Sequence, residues 1–513
     1  MQNSKSADGV QVAAAVSPWP VPAEIMAIVD GECVRGAGSA LAVIDPTTEE
    51  RVSTLLEDTP EDVDRAVCAA RRALEMGPWS RMELGERLAV LRRIQRLIER
   101  HADELAYLDC LDTGVPYVEA RTRKIPRIVE NFEFAASLAG MAAGDTFQQN
   151  SRYLTYVTRQ PVGVCAIIAP WNSPMGLASM QVAPCIALGN TCVVKPSEHA
   201  SMSLFRLVQL LNEAGLPPGV VNLVNGRGML TGEALVRHPG VNAVKFIGGT
   251  ETGKRIMAAA SGSLKRVGLE LGGKSANIVF GDADFDEALD GALLGIYSNN
   301  GQQCLAGSRI LVERSISRRF IEAFVARATA INVGNPLDPR TEVGPLAFEQ
   351  HYQRVLGYVG IARSEGAELL VGGAKPQGMD KGYFLAPTAV LAAANESRVC
   401  QEEIFGPFAS FMLFDSTSDA IQIANDSRFG LVSYVWSRDI ARVMQVSQAV
   451  RAGTILVNTS MVRELRAPFG GFNESGVGRD GARHTLDFFT EAKTTTLPVR
   501  KLSLRRLGVP TTL

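Results

Sequence analysis

Between residues 162 and 271 the chain alternates short β-branched runs with amphipathic stretches, and this alternation restricts the fold more than any other feature. Strand patterns at 162–169, 191–195, 220–224, 241–247 and 266–271 are separated by helical patterns at 175–188, 200–214, 232–238 and 253–261. Strands joined through helices pair in parallel, with helices covering both faces of the sheet. Such crossovers are almost always right-handed, and ligands settle at the carboxyl ends of the strands. The predicted class is α/β, with a Rossmann-like parallel sheet at its centre.

At 513 residues the chain exceeds what one core holds, so two or three domains are expected. Helical patterns at 61–76 and 82–108 precede the alternating stretch, and a second α/β block follows it. In that block Phe285, Ala288, Leu289, Ala292, Leu293, Ile296 and Tyr297 form one helical stripe. The helix runs out at Asn299-Asn300-Gly301, just ahead of Cys304. Residues 146–160 alternate with strand period and 493–500 are extended, giving edges that a small oligomerisation sheet would cover. The expected division is a flexible arm at 1–22, a first α/β domain at 23–145 and 161–271, and a second α/β domain at 272–474. Oligomerisation strands at 146–160 and 483–500 and a basic tail at 501–513 complete it.

Several classes are excluded by composition. A net charge of −2 leaves no electrostatic footprint for nucleic acid or an anionic membrane. The basic cluster Arg500-Lys501 with Arg505-Arg506 reads as a solvated terminus. No apolar run reaches the roughly 18–20 residues that span a bilayer, and the first residues lack the pattern of a signal peptide. The eight cysteines include no Cys-x-x-Cys pair and the five histidines no His-x-x-x-His spacing, so no metal site is expected. Unpaired cysteines without a signal point to a reducing compartment, the cytoplasm.

Two residues carry the chemical reading: Cys304, ending Gly301-Gln-Gln-Cys304, and Glu270, opening Glu270-Leu-Gly-Gly-Lys274. A thiolate adds to a carbonyl carbon and leaves again, while a carboxylate draws a proton from water. Together they point to a covalent nucleophile and a general base for acyl chemistry. Against this, free cysteines are usually buried and inert, and most glutamates are solvated. Ala169-Pro170-Trp171-Asn172 turns sharply after a buried strand. Asn172 is there either a turn residue bonding its own backbone or one donor of an oxyanion hole, with the Cys304 N–H as the other. Losing such a donor costs about 2.7–4 kcal/mol.

Phe246-Ile-Gly248-Gly249-Thr-Glu-Thr-Gly253 reads as strand, glycine turn and helix start, where backbone N–H groups meet a pyrophosphate. Its spacing is not Gly-x-Gly-x-x-Gly. Thr191-Cys-Val-Val-Lys195-Pro-Ser-Glu198 places a carboxylate past a strand end. That suits a ribose diol and repels a 2′-phosphate, favouring NAD over NADP.

These segments resemble the aldehyde dehydrogenase superfamily across nearly the whole chain. The resemblance rests on Pro170-Trp-Asn172, Lys195-Pro-Ser-Glu198, Phe246-x-Gly248, Glu270-Leu-Gly-Gly-Lys274, Gly301-Gln-x-Cys304, Glu402-Glu-Ile-Phe-Gly-Pro407 and Pro468-Phe-Gly-Gly471, in that order. It implies that Cys304 attacks an aldehyde while Asn172 and the Cys304 amide hold the oxyanion. Hydride then passes to NAD, and Glu270 activates the water that releases a carboxylate from the thioester. The implied cofactor residues are Trp171, Lys195, Glu198, Gly228, Phe246, Gly248, Gly249, Leu271, Glu403 and Phe405. Lys195 and Glu198 would hold the adenosine ribose, Gly248 and Gly249 the pyrophosphate, and Glu403 the nicotinamide ribose, with Phe405 beside its ring. Gly249 stands where the family commonly has serine, which removes one phosphate hydrogen bond. A homodimer or homotetramer follows by the same likeness.

For substrate, Pro116-Tyr-Val-Glu-Ala-Arg121-Thr-Arg123-Lys-Ile-Pro-Arg127 and Asn458-Thr-Ser-Met-Val-Arg463-Glu-Leu-Arg466-Ala-Pro-Phe469 resemble the muconic-semialdehyde branch. Arg121, Arg463 and Arg466, with Ser173 and Phe469, are the substrate candidates. The arginines are either a fork for a substrate carboxylate or surface charges worth about 0–1 kcal/mol. Met180-Gln181 stands where the family often has Trp-Lys, implying a wider or more polar substrate tunnel. Two other readings remain: an enzyme passing the acyl group to coenzyme A, disfavoured by Glu270, and a catalytically silent binding protein on this fold.

Overall fold

The computed structural model describes residues 19–504 and 506–508. Residues 1–18 of the expected arm, Arg505 and residues 509–513 of the expected tail lie outside the described residues.

Eight strands form the first sheet, in the order Gly476–Val477, Arg266–Glu270, Ala243–Ile247, Val164–Ile168, Thr191–Lys195, Val221–Leu223, Ala27–Val29 and Glu32–Val34. The five central strands are parallel, as their alternation with helices predicts, and antiparallel strands finish both edges. Thr191–Lys195 and Ala243–Ile247 are buried along their whole length, the pattern of strands covered on both faces. Val193, Val244 and Leu269 pack against Val63, Val67 and Ile256 on one side. Ile167, Cys192 and Val194 join Ile128, Phe132 and Ile186 on the other. From Val164–Ile168 the chain builds outward one way to Val221–Leu223, then returns to build the other way. The crevice beyond Ile168 is therefore a topological switch point, the place where open α/β sheets take ligands.

The second sheet has seven strands: Glu368–Val371, Thr388–Leu391, Phe408–Phe414, Arg309–Glu313, Ala276–Val279, Val432–Trp436 and Thr454–Val457. Only Glu368–Val371 is antiparallel to its neighbour. Residues 271–275 lead directly from the last parallel strand of the first sheet into Ala276–Val279, which puts the two sheets' loops at a common seam. The helix Phe285–Tyr297 is N-capped by Asp284, which accepts from the Glu287 N–H, and it buries the predicted stripe.

Three expectations need correction. The single helix at 82–108 is two, Leu84–Arg100 and Ala102–Thr113, parted where His101 leaves helical geometry at φ −99 and ψ 18. The second is buried almost all round, so the amphipathic period stops there. Residues 146–160 are a hairpin, Thr146–Asn150 with Tyr153–Pro161, and not one strand; Thr490–Pro498 adds the third strand of this separate sheet. Residues 483–489 are helical, in Ala482–Phe489, because Thr485, Leu486 and Phe489 are spaced to bury one helical face. Among the described residues no helix is long and apolar enough to cross a membrane.

Candidate active site

A cavity of about 540 Å³ opens over the strand ends of the first sheet, and one of about 280 Å³ lies at the seam. They share Pro170, Trp171, Ile247, Gly248 and Gly249, and so form one crevice. Lys195, Glu198, Gly228 and Phe246 line the larger cavity, together with the shared Trp171, Gly248 and Gly249. Asn172, Glu270, Leu271, Cys304, Glu403 and Phe405 line the smaller one.

On the larger side the backbone does most of the shaping. A β-carbon on Gly248 would stand 2.5 Å from the Phe246 ring, so the strand can turn there only without a side chain. Gly249 precedes the helix Thr250–Ser261 and supplies no side-chain cap, and a β-carbon built on it would meet nothing within 4 Å. The first N–H groups of that helix are left to a ligand or water, in the positive field of a helix start. Burial pulls the Lys195 amine down, while Glu198, Glu57 and Asp58 pull it back.

At the seam, Asn299 and Asn300 take left-handed φ values of 50 and 57, and Gly301 follows at 71. A β-carbon on Gly301 would fall 2.2 Å from the Gly406 carbonyl carbon, so glycine is required. Asn300 pins the turn by donating to Gly114 O and Pro345 O and accepting from the Gly344 N–H. Cys304 emerges from this turn half-buried. Asn172 donates through Nδ2 to Gln302 O at 2.9 Å, and its own carbonyl accepts from Lys124 Nζ and Asn299 Nδ2 at 3.2 Å each. A primary amide has two N–H donors, so one anchors the side chain and the other remains for the cavity.

Glu270 ends its strand buried, with Oε2 lacking a hydrogen-bond partner. Burial pushes its carboxyl up to about 8, Asp480 adds to this, and Lys245, Arg463 and Arg479 oppose it. Burial likewise pushes the Cys304 thiol up to about 12, with Glu403 and Glu270 adding and Arg463 opposing. The glycines at 272 and 273 admit Glu403: a β-carbon on Gly272 would lie 2.3 Å from its carboxylate, and the Gly273 N–H donates to it at 2.9 Å.

The three arginines separate. Arg121 is exposed and paired with Asp103 at 2.5 Å, and Arg466 is exposed and paired with Glu464 at 2.9 Å. Neither lines the crevice, and each guanidinium is met by a neighbouring carboxylate in water. Arg463 turns inward. It lies 4.1 Å over the Phe469 ring with Nη1 against Met180 Sδ, and its Nε is buried without a partner. Phe469 packs in the apolar cluster that includes Cys304, Leu305 and Met461. Ser173, Arg463 and Phe469 line neither cavity. Gln181 donates to Asp480 Oδ2 at 2.7 Å, and Lys245 meets Asp480 Oδ1 at 2.5 Å behind Glu270.

Sequence reasoning missed Phe348, His351 and Arg354 in the smaller cavity and Arg227 and Arg255 in the larger. None sits in a recognisable motif. Lys245 did leave a signal, since a lysine amid the buried run Ala243–Ile247 demands a partner.

The chain matches the model of the Aldehyde dehydrogenase family over residues 33–495. It is 41% identical over 462 residues to the 5-carboxymethyl-2-hydroxymuconate semialdehyde dehydrogenase of Escherichia coli, covering 89% of this chain and 97% of that protein. The crystal structure of HpcC from Thermus thermophilus is similar with a TM-score of 0.92 at 42% identity, covering 95% of each chain. The NAD+ complex of aldehyde dehydrogenase from Bacillus cereus is similar with a TM-score of 0.90 at 39% identity, covering 93% of this chain and 97% of that one. The chain belongs to the aldehyde dehydrogenase family, as an oxidoreductase acting on aldehydes.

Proposed function

We propose that this protein oxidises a carboxylated semialdehyde to its acid, using NAD and a covalent intermediate on Cys304. The observation that carries the reading is that Cys304, Glu270 and Asn172 line one cavity, continuous with a cleft over an uncapped helix start. The residues present fit a dinucleotide: free N–H donors at Gly249 and Thr250 suit a pyrophosphate, and Glu198 and Glu403 suit ribose diols. When bound, NAD supplies the hydride acceptor and a positively charged ring.

The protein's own groups do the rest. Cys304 Sγ, having lost its proton, forms a bond to the aldehyde carbon, and the second Asn172 N–H with the Cys304 N–H holds the resulting oxyanion. Once hydride has left that carbon, a thioester remains on Sγ. Glu270 takes a proton from water, the hydroxyl adds to the acyl carbon, and the C–S bond breaks to free the acid. Arg463, half-buried beside Phe469 with a buried, unpartnered Nε, supports a substrate carrying a carboxylate.

We further propose a dinucleotide-binding domain at 23–145 and 161–271 and a catalytic domain at 272–474. Strands at 146–161 and 490–498 would pair copies of the chain into a homodimer or homotetramer, in the cytoplasm. The test is NADH formation across carboxylated semialdehydes and neutral aldehydes. A preference for the carboxylated ones supports the reading, and equal rates would remove Arg463 from it.

A further inference from the structure

The turn carrying Glu403 and Phe405 is held in a conformation it would not choose. Phe405 has φ 64, a left-handed backbone that costs a residue with a β-carbon. One face of the helix Glu349–Ser364 is arranged against this turn. His351, Arg354 and Tyr358 lie at i, i+3 and i+7, a single stripe. His351 Nε2 is 2.7 Å from Phe405 O, and Arg354 Nη1 is 3.0 Å from Ile404 O. Arg354 Nη2 donates to Glu403 O, and Tyr358 donates to the Glu402 carboxylate at 2.7 Å. Three side chains thus hold four consecutive residues.

The hydrogen-bond roles are fixed by chemistry. A carbonyl oxygen only accepts, so His351 Nε2 carries the ring's proton. Burial pushes the imidazole down to about 3, which keeps it neutral at any working pH. Its ring packs 4.8 Å from Trp171, which meets Phe405 at 5.2 Å. On the opposite side the Gly273 N–H grips the Glu403 carboxylate. The Glu403 backbone is therefore held from the helix Glu349–Ser364 and its side chain from the loop after Glu270.

We propose that His351 and Arg354 are positioning residues: through the 403–405 carbonyls they set Glu403 and Phe405 in the geometry that receives the nicotinamide end of NAD. This rests on the reading that Glu403 and Phe405 face that ligand. A residue that merely filled space would act through its ring or bulk, whereas a clamp acts through its donors.

His351→Phe separates the two, keeping a ring against Trp171 while removing the N–H; His351→Gln keeps a donor. The KM for NAD, the KM for the aldehyde and the rate of Cys304 alkylation without NAD are measured on each. His351→Phe and Arg354→Ala are expected to raise the KM for NAD ~5–10-fold, as loss of a buried hydrogen bond allows. Aldehyde KM and alkylation stay within about twofold, and His351→Gln recovers most of the loss. Should Arg354→Ala not fold, Arg354→Gln carries the same expectation. A KM for NAD unchanged in both His351→Phe and the arginine variant overturns the clamp, as does an equal loss in all three measurements. Wild-type protein that forms no NADH with any aldehyde overturns the proposed function as well. Active wild type with indifferent variants overturns the clamp alone.

Discussion

The cleft over the first sheet and the thiol pocket at the seam share a wall at Trp171 and Gly248, yet they are assembled differently. The cleft comes mostly from successive stretches at the ends of parallel strands, within residues 168–171, 195–198, 227–236 and 246–259. Its shape depends on backbone and glycine. The pocket draws Asn172, Glu270, Cys304, His351 and Glu403 from stretches scattered across the chain. It also buries ionisable groups: Glu270, Glu403 and the Cys304 thiol are all pushed toward their neutral forms by desolvation. A cleft of backbone donors binds without needing any proton to move. An acid raised to about 8, as Glu270 is, can exchange protons near neutral pH.

Substitutions of the pocket's thiol and of Glu270 should therefore disturb turnover, and those in the cleft should disturb cofactor choice. Cys304→Ala is the severest case, expected to lower turnover by roughly 10⁴-fold or more with NAD binding retained. NAD binding lost in parallel would mean that the two regions are not separable. Glu270→Gln comes next, at about 10²–10⁴-fold in acyl release. The Glu270 acid is raised to about 8, so its carboxylate is scarce below that pH and dominant above it. Wild-type acyl release should climb with pH and level beyond about 8. The glutamine variant should lose that limb and accumulate a thioester after a first burst of NADH; a missing burst would contradict the order of steps.

Arg463→Gln should lower kcat/KM for carboxylated semialdehydes about 10²-fold and for neutral aldehydes less than about threefold. Equal losses would make Arg463 a partner of Glu270 and not of substrate. Arg466→Ala, at an exposed ion pair, should change neither by more than about twofold. In the cleft, Glu198→Ser should raise use of NADP relative to NAD about tenfold, through lost repulsion of the 2′-phosphate. An unchanged ratio of the two rates would show that Glu198 does not read the ribose.

The arginines mark where one-dimensional reading stops. Arg463 and Arg466 stand three residues apart in one motif, equally suited to a carboxylate. Only the packing of Phe469 and Met180 turns the first inward, while Glu464 holds the second in solvent. The break at His101 and the helix at 482–489 were likewise decided by what lay ready to cover each face.

Local pattern was enough for the parallel sheet, its glycine turns and the pairing of Cys304 with Glu270 as candidates, because strand period, helix period and turn chemistry act over neighbouring residues. It could not supply the His351–Arg354 stripe, the inward turn of Arg463 or the Lys245–Asp480 pair behind Glu270. Those depend on burial and on charges brought together from remote segments, and both are properties of the packed chain.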